Sequence, residues 1–267
     1  MRVVVKAGGR ALLGNLTGIA ESIARRSSSH RIVFVHGGGD VVSEYSRRMG
    51  IEPKFVTSPQ GIRSRYTDLQ ELEVYVMVMA GKLNKEIVAA LRKLGVKAVG
   101  ISGADGGLLT AERKKRIVVV DDRGRKRVIE GGYTGMITSV SPQLLELLTS
   151  SGFTVVVAPI AVSEEGELLN VDGDQAATSI AKAISADALV LLSDVDGVLV
   201  DGEVVGRLTP QEAFDLSQRI GPGMNRKLML AGEAVSFGVK LAIISNGLVE
   251  DPLKVLEEPK GTLVAPQ

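Results

Sequence analysis

The chain has 267 residues, of which 45% are apolar, enough for one or two domains around a sizeable core. Its 32 basic and 31 acidic side chains leave a net charge of +1, which argues against a disordered polyelectrolyte and against a general nucleic-acid-binding surface. The absence of cysteine excludes disulfides, thiolate catalysis and cysteine-ligated zinc or iron–sulfur clusters, and 31 glycines against 3% aromatic residues favour binding loops built from backbone.

The first β-branched run, 3–5, reads as a strand buried on both faces that delivers Lys6 into a Gly8-Gly9 turn before a helix at 11–26. Backbone amides of such a turn approach phosphate oxygens, and a lysine beside it adds a point charge; a solvated lysine at an ordinary turn is the plainer alternative. The second strand, 31–35, repeats the arrangement: His36 and the three glycines Gly37, Gly38 and Gly39 precede a helix at 40–49. Two anion cradles at neighbouring strand ends would face one crevice. With His30 as the only other histidine, His36 reads as a packing or hydrogen-bonding residue and not as a metal ligand.

A long helix is expected at 69–94, where Leu72, Val76, Ala80, Leu83, Ile87, Leu91 and Leu94 form one core stripe while Val74, Met77 and Val78 lie off it. Apolar residues all round its first half call for a second covering surface, which suggests a homodimer. After a strand at 97–101, the region 109–135 departs from the pattern. The runs 117–120 and 127–129 flank the turn Asp122-Arg123-Gly124-Arg125 and predict a hairpin. Residues 113–127 carry eight basic and two acidic side chains, a net +6, so the basicity of the chain is local.

A helix at 142–149 and a strand at 154–157 follow, with a seam between two lobes placed around 162–166. Asn170-Val171-Asp172-Gly173-Asp174 then runs into a helix at 174–184, which Asp174 is placed to cap. The strand 188–192 ends in the acidic turn containing Ser193, Asp194 and Asp196, at the carboxyl edge where open α/β sheets bind ligands. These aspartates suit a magnesium ion, a ribose or the turn itself. A helix at 210–219 precedes Gly221-Pro222-Gly223-Met224, and Lys227 falls in the first turn of a helix at 224–237. A cation there opposes the helix dipole, so an anion is expected nearby. The final strand is 240–244.

Alternation of buried strands and helices predicts an α/β fold with a mostly parallel, doubly wound sheet. No apolar run approaches the length of a membrane span and the N-terminus reads as a strand, so a cytoplasmic protein is expected, with no membrane and no nucleic-acid partner. The P-loop, dinucleotide, zincin and nucleophile-elbow motifs are missing.

Five motifs together resemble the amino acid kinase family and its N-acetylglutamate kinase branch. They are Lys6-x-Gly8-Gly9, His36-Gly37-Gly38-Gly39, Gly61-x-Arg63, Asn170-Val171-x-x-Asp174 and Gly221-Pro222-Gly223-Met224-x-x-Lys227. The resemblance covers essentially the whole chain. It implies a three-layer αβα sandwich with an acyl-substrate lobe at 1–165, an ATP lobe at 166–267 and dimerisation through the long helix. The implied reaction moves the γ-phosphoryl group of ATP to a carboxylate, forming an acyl phosphate, with Mg2+ held mainly by the ATP phosphates and no protein metal ligands. A carboxylate is already ionised at neutral pH, so no general base is required.

By the same resemblance, Lys6 and Lys227 stabilise the transferring group and Asp174 orients both. Gly8 and Gly9 cradle phosphates, while Ser193, Asp194, Asp196 and Met224 belong to the nucleotide side. Gly38 and Gly39 meet the substrate, Asn170 its acyl-amide portion, and Arg63 its α-carboxylate.

The segment Gly61-Ile62-Arg63-Ser64-Arg65-Tyr66-Thr67-Asp68 is longer than the usual family sequence and holds a second arginine, Arg65, which leaves the carboxylate ligand open between the two. Residues 131–137 and the basic hairpin resemble the archaeal branch that phosphorylates 2-aminoadipate or glutamate attached to an acidic amino-group carrier protein, LysW, in lysine or arginine biosynthesis. In that branch the α-amino group is linked to the carrier's terminal glutamate. A kinase of free N-acetyl-L-glutamate is the alternative.

Overall fold

The structure, a computed structural model, describes all residues except Gln60, Ile62 and Asp122. Strands β1 (Arg2–Ala7) and β2 (Arg31–His36) alternate with helices α1 (Gly9–Arg26) and α2 (Gly39–Arg48), followed by β3 (Lys54–Thr57) and β4 (Arg63–Tyr66). One helical stretch then joins α3 (Leu69–Val76), a π-helical segment (Met77–Leu83) and α4 (Asn84–Lys93). Next come β5 (Ala98–Ser102), β6 (Leu109–Arg113), β7 (Arg116–Val120), β8 (Lys126–Glu130), β9 (Gly135–Val140), α5 (Gln143–Ser150), β10 (Thr154–Ala158), β11 (Ile160–Val162) and β12 (Leu168–Asn170). The remainder holds α6 (Gly173–Ala183), β13 (Ala188–Ser193), β14 (Leu199–Val200), β15 (Glu203–Val204) and β16 (Arg207–Leu208). It closes with α7 (Pro210–Ser217), α8 (Met224–Ser236), β17 (Leu241–Asn246), a 3-10 turn (Pro252–Leu256) and β18 (Thr262–Val264).

Among the described residues, eight strands form the central sheet in the order β16-β18-β17-β13-β1-β2-β10-β5. Every pairing is parallel except β17 with β18. Val3 and Val5 pack with α1 and α4 on one face, while Val4 packs with α6 and α8 on the other. Both faces are covered, which explains the unbroken apolar runs and makes the fold a three-layer αβα sandwich. The chain departs from β1 toward β2 on one side and returns to β13 on the other, so the carboxyl ends of β1 and β13 mark a topological switch point.

Two small sheets stand outside the sandwich, β12-β11-β6-β9 and β4-β3-β7-β8. The expected basic hairpin is present, with Arg116 opposite Glu130 and Val120 opposite Lys126. Its turn is organised by Asp121, whose Oδ1 accepts from the amides of Arg123 and Arg125 while Oδ2 accepts from the side chains of Arg125 and Arg127. Asp122 of that turn lies outside the described residues. The hairpin is not an isolated decoration: Thr57 pairs with Val120 and joins it to β3 and β4.

The stripe expected on the long helix is corrected. Val74 and Val78 are buried together with Tyr75 and Met79, whereas Met77 and Leu94 are exposed and Val76 and Ala80 half-buried. The π segment has more residues per turn than an α-helix and shifts the inward face by about one position. Val74 and Val78 are covered by Val41 and Val42 of α2 within the same chain, so the apolar surplus read as a dimer contact is largely intramolecular. A second correction concerns α6, which is capped by Asp172 accepting from Gln175 N at 2.8 Å and not by Asp174.

Candidate active site

Lys6 shares the pleat parity of Val4, so it points to the α6 face of the sheet. There Asp174, one residue into α6 and released from capping, lies between two lysines. Its Oδ1 is 2.8 Å from Lys6 Nζ, and its Oδ2 accepts a 2.5 Å hydrogen bond from Lys227 Nζ at the start of α8. The anion expected to offset Lys227 at its helix terminus is therefore Asp174. All three side chains are largely buried.

Burial raises the Asp174 carboxyl, but Lys6 and Lys227 outweigh it and hold the group well below the usual carboxylate range. Burial likewise works against the Lys6 charge, yet Asp174 keeps that ammonium above its ordinary value. Lys227 goes the other way, because burial and the Lys6 charge together lower it. Two cations share one carboxylate, which leaves a surplus positive charge in a desolvated place, suited to a group whose negative charge grows during reaction.

The two glycine turns meet beside this cluster. A Cβ on Gly37 would lie 3.0 Å from Gly9 N and 3.3 Å from Ala7 O, so their close approach depends on a bare backbone. Gly8 and Gly38 are the N-caps of α1 and α2, and neither helix start has a side-chain cap, which leaves amide donors open to an anion. His36 supports the second turn from below. Its ring is fully buried, with Nδ1 3.2 Å from Gly37 O and Nε2 3.4 Å from Asn84 Nδ2.

A pocket of about 890 Å³ opens from Lys6 across Gly38, Gly39, Arg63, Asn170 and Arg226. The two arginines of the 61–68 segment differ sharply within it. Arg65 is buried and committed: it is paired with Glu71 and donates to Gly39 O and Ser43 Oγ, both at 2.6 Å. Arg63 stacks over Phe55 at 4.4 Å and has no carboxylate partner among the described residues. Asn170 is oriented by donating to Thr67 Oγ1 at 2.9 Å.

On the other side of the switch point, Ser193 ends β13 and donates to Asp194 at 3.3 Å. Asp194 also pairs with Arg10 at 2.5 Å, and Asp196 accepts from Asn246 Nδ2 at 2.8 Å. Met224 opens α8 and packs against the core. These four residues do not line the 890 Å³ pocket, whereas Gly38, Gly39, Arg63 and Asn170 do. Among the described residues, no group of three or more histidine, aspartate or glutamate side chains is gathered to hold a metal.

The sequence model of the amino acid kinase family matches residues 1–246. The chain belongs to the amino acid kinase family. Its curated relatives include a protein from Saccharolobus solfataricus, 53% identical over 264 residues that cover 98% of this chain and 99% of the relative. That protein is named [LysW]-aminoadipate/[LysW]-glutamate kinase. A protein of the same name from Sulfurisphaera tokodaii is 52% identical over 263 residues, again 98% of this chain and 99% of the relative. Among solved structures, N-acetylglutamate synthase from Neisseria gonorrhoeae, in complex with coenzyme A and N-acetyl-glutamate, superposes with a TM-score of 0.81 at 28% identity. The match covers 100% of this chain and 59% of that one. Carbamate kinase from Giardia lamblia bound to AMP-PNP has a TM-score of 0.72 at 16% identity over 100% of this chain and 98% of that one, a likeness of fold alone.

Several residues in the pocket or holding its lining escape a motif reading of the amino acid kinase sequence. Thr67 and Tyr75 matter through contacts with Asn170 and Pro159 O that no local pattern encodes. Lys114 sits inside the basic run without standing out from it, and Asp172 and Arg226 fall on the variable positions of two motifs.

Proposed function

We propose that this chain transfers the γ-phosphoryl group of ATP to the side-chain carboxylate of L-2-aminoadipate or L-glutamate whose amino group is attached to an acidic carrier protein of the LysW kind. The observation that carries this reading is identity above half, across 98% of the chain, with relatives of that name. In the step, a carboxylate oxygen bonds to the γ-phosphorus as the bond to ADP breaks, and no proton moves. The protein has to bring two anions into line and neutralise them.

Lys6 and Lys227 supply that neutralisation from opposite sides of Asp174, which acts as the organiser of both ammonium groups. The turn at Gly8 and Gly9 fits phosphate oxygens of ATP: the Gly8 amide is held by Leu192 O at 3.4 Å, and the Gly9 amide begins the uncapped first turn of α1. Asp194 and Asp196 border the nucleotide side. Magnesium, which accompanies ATP, would be held mainly by phosphate oxygens, since both aspartates already have partners. Gly38 and Gly39 face the acceptor. Arg63 takes its α-carboxylate through a bidentate fork, because Arg65 is occupied by Glu71. Residues 1–165 form the acceptor lobe and 166–267 the ATP lobe, meeting at the turn between β11 and β12. The basic hairpin is the docking surface for the acidic carrier, and the enzyme works as a cytoplasmic homodimer.

The deciding experiment is ATP-dependent acyl-phosphate formation, trapped as hydroxamate, with three acceptors: free N-acetyl-L-glutamate, carrier-linked glutamate and carrier-linked 2-aminoadipate. Turnover of the linked acceptors is expected. Turnover of the free acceptor alone would return the chain to the N-acetylglutamate kinase reading. The two linked acceptors differ by one methylene, worth about 1–3 kcal/mol, so use of both is physically easy.

A further inference from the structure

Six cationic side chains line the acceptor pocket, and two of them have close carboxylate partners: Lys6, which shares Asp174 with Lys227, and Arg65, paired with Glu71. Of the others, Lys114 and Arg226 form a pair with little to balance them. Among the described residues, Asp172 is the only carboxylate on the pocket lining, and its Oδ1 is engaged in capping α6. Arg226 Nε lies 3.5 Å from that oxygen, an ion-pair separation without a hydrogen bond, and is a buried donor with no hydrogen-bond partner among the described residues. Lys114 has no ion-pair partner among the described residues. It is accessible to solvent, yet partial desolvation and then the charge of Arg226 hold its ammonium below the ordinary value. Two neighbouring cations on one pocket wall, one of them with a donor left unsatisfied, form an arrangement that an anion completes.

The position of the pair indicates which anion. Asn170, Thr134 and Lys114 follow one another across the pocket wall: Thr134 bridges to Asn170, and Lys114 N donates to Thr134 O at 2.9 Å. If Asn170 meets the amide on the acceptor's amino nitrogen, Lys114 on the same wall is placed to meet a group that this nitrogen carries.

We propose that Lys114 and Arg226 form a second carboxylate clamp, which holds an anionic group on the moiety attached to the acceptor's amino nitrogen and is separate from the α-carboxylate site at Arg63. The proposal rests on the acceptor reading given above and adds to it the chemistry that the blocking group must present.

The test uses two small acceptors that differ in one charge, N-glutaryl-L-2-aminoadipate and its uncharged near-isostere, the terminal amide N-(4-carbamoylbutanoyl)-L-2-aminoadipate, with binding measured by calorimetry on the full chain. The wild-type protein is expected to bind the glutaryl compound at least about tenfold more tightly. Arg226→Gln and Lys114→Gln should each bring that ratio to within about threefold of unity, and Arg226→Lys should restore part of it. Arg63→Gln should weaken both compounds alike and leave the ratio intact. A wild-type ratio near one, glutamine variants that keep the wild-type ratio, or glutamine variants that weaken both compounds equally would each overturn the clamp, the last by showing that these residues hold the α-carboxylate instead. Turnover of the carrier-linked acceptor is assayed in parallel. Its absence, alongside a preserved binding ratio, would reject the kinase reading of the acceptor without touching the clamp.

Discussion

His36 shows how one buried side chain couples a glycine turn to pH. A neutral ring that donates from Nδ1 to Gly37 O and accepts at Nε2 from Asn84 satisfies both nitrogens, and burial lowers the imidazole from its ordinary 6.5 to about 4. A base with a lowered folded value stabilises the fold fully above pH 6.5. That contribution is lost as pH falls toward 4, because the unfolded chain takes the proton first; it amounts to roughly 3 kcal/mol. Urea unfolding at pH 7.5 and pH 5 should show this decline in the wild type and a clearly smaller one in His36→Asn; equal slopes would remove His36 as its source. For the proposed lysine roles, Lys6→Ala or Lys227→Ala should reduce kcat at least about a hundredfold while the KM for ATP changes little, since their charge is needed most as the phosphoryl group moves. Lys227, lowered by burial and by Lys6, should lose its proton before the ordinary lysine range. The alkaline fall in kcat should therefore begin below the ordinary lysine value and move upward in Lys227→Arg; a fall unchanged in that variant would assign it to another group.

Among the elements, the β7–β8 hairpin combines a structural turn with an exposed charged surface. Arg125 and Arg127 are tied to Asp121, so reversing them would break the turn as well as the patch. Arg116 and Arg123 are exposed and have no ion-pair partner among the described residues, which makes them the cleaner probes. Arg116→Glu with Arg123→Glu should raise the KM for a carrier-linked acceptor about tenfold or more at low salt, and high salt should narrow the gap to the wild type. Equal KM values at low salt would place the docking surface elsewhere. The link from β8 to β9 is set by Gly131, whose added Cβ would fall 1.6 Å from Lys114 O. Gly131→Ala therefore has to displace backbone, and the affected link between β6 and β7 is the one that carries Lys114, a residue of the pocket lining.

Across the whole molecule, the start and the end of the chain are held together at α1. Arg26, with a side chain 8% exposed, forms paired contacts with Asp251 and Glu257, and Asn15, at a kink in the same helix, donates to Gly247 O and Val249 O. Glu257 is half exposed, so solvent screens part of this network. Arg26→Ala, which leaves Glu257 without its cation and Asp251 with only Arg25 at 3.5 Å, should cost about 2 kcal/mol and lower the Tm by roughly 5 °C. A thermal melt with an unchanged Tm would show the clamp to be energetically idle. The proposed dimer belongs to this scale as well: sedimentation at micromolar concentration should give twice the 28.2 kDa chain mass, and a monomer would confine the apolar side of the long helix to intramolecular packing.

The amino-acid sequence by itself determined the alternation of strands and helices, the two glycine turns at adjacent strand ends and the family motifs. Each is a local pattern, and local patterns report burial and backbone freedom directly. The tertiary structure decided which charges meet. Lys227 and Asp174 are 53 residues apart, and only the packing of α8 on α6 joins them, while Asp172 takes the capping role that the position of Asp174 suggested. Arg63 and Arg65 share one face of β4 and both line the pocket, and only the tertiary packing brings Arg65 to Glu71 and leaves Arg63 without a carboxylate partner among the described residues. The π segment likewise turned a regular stripe into a shifted one. Strand register, pleat and helix phase are set by packing across distant segments, so a motif can name the residues of this site but only the assembled fold assigns each its partner.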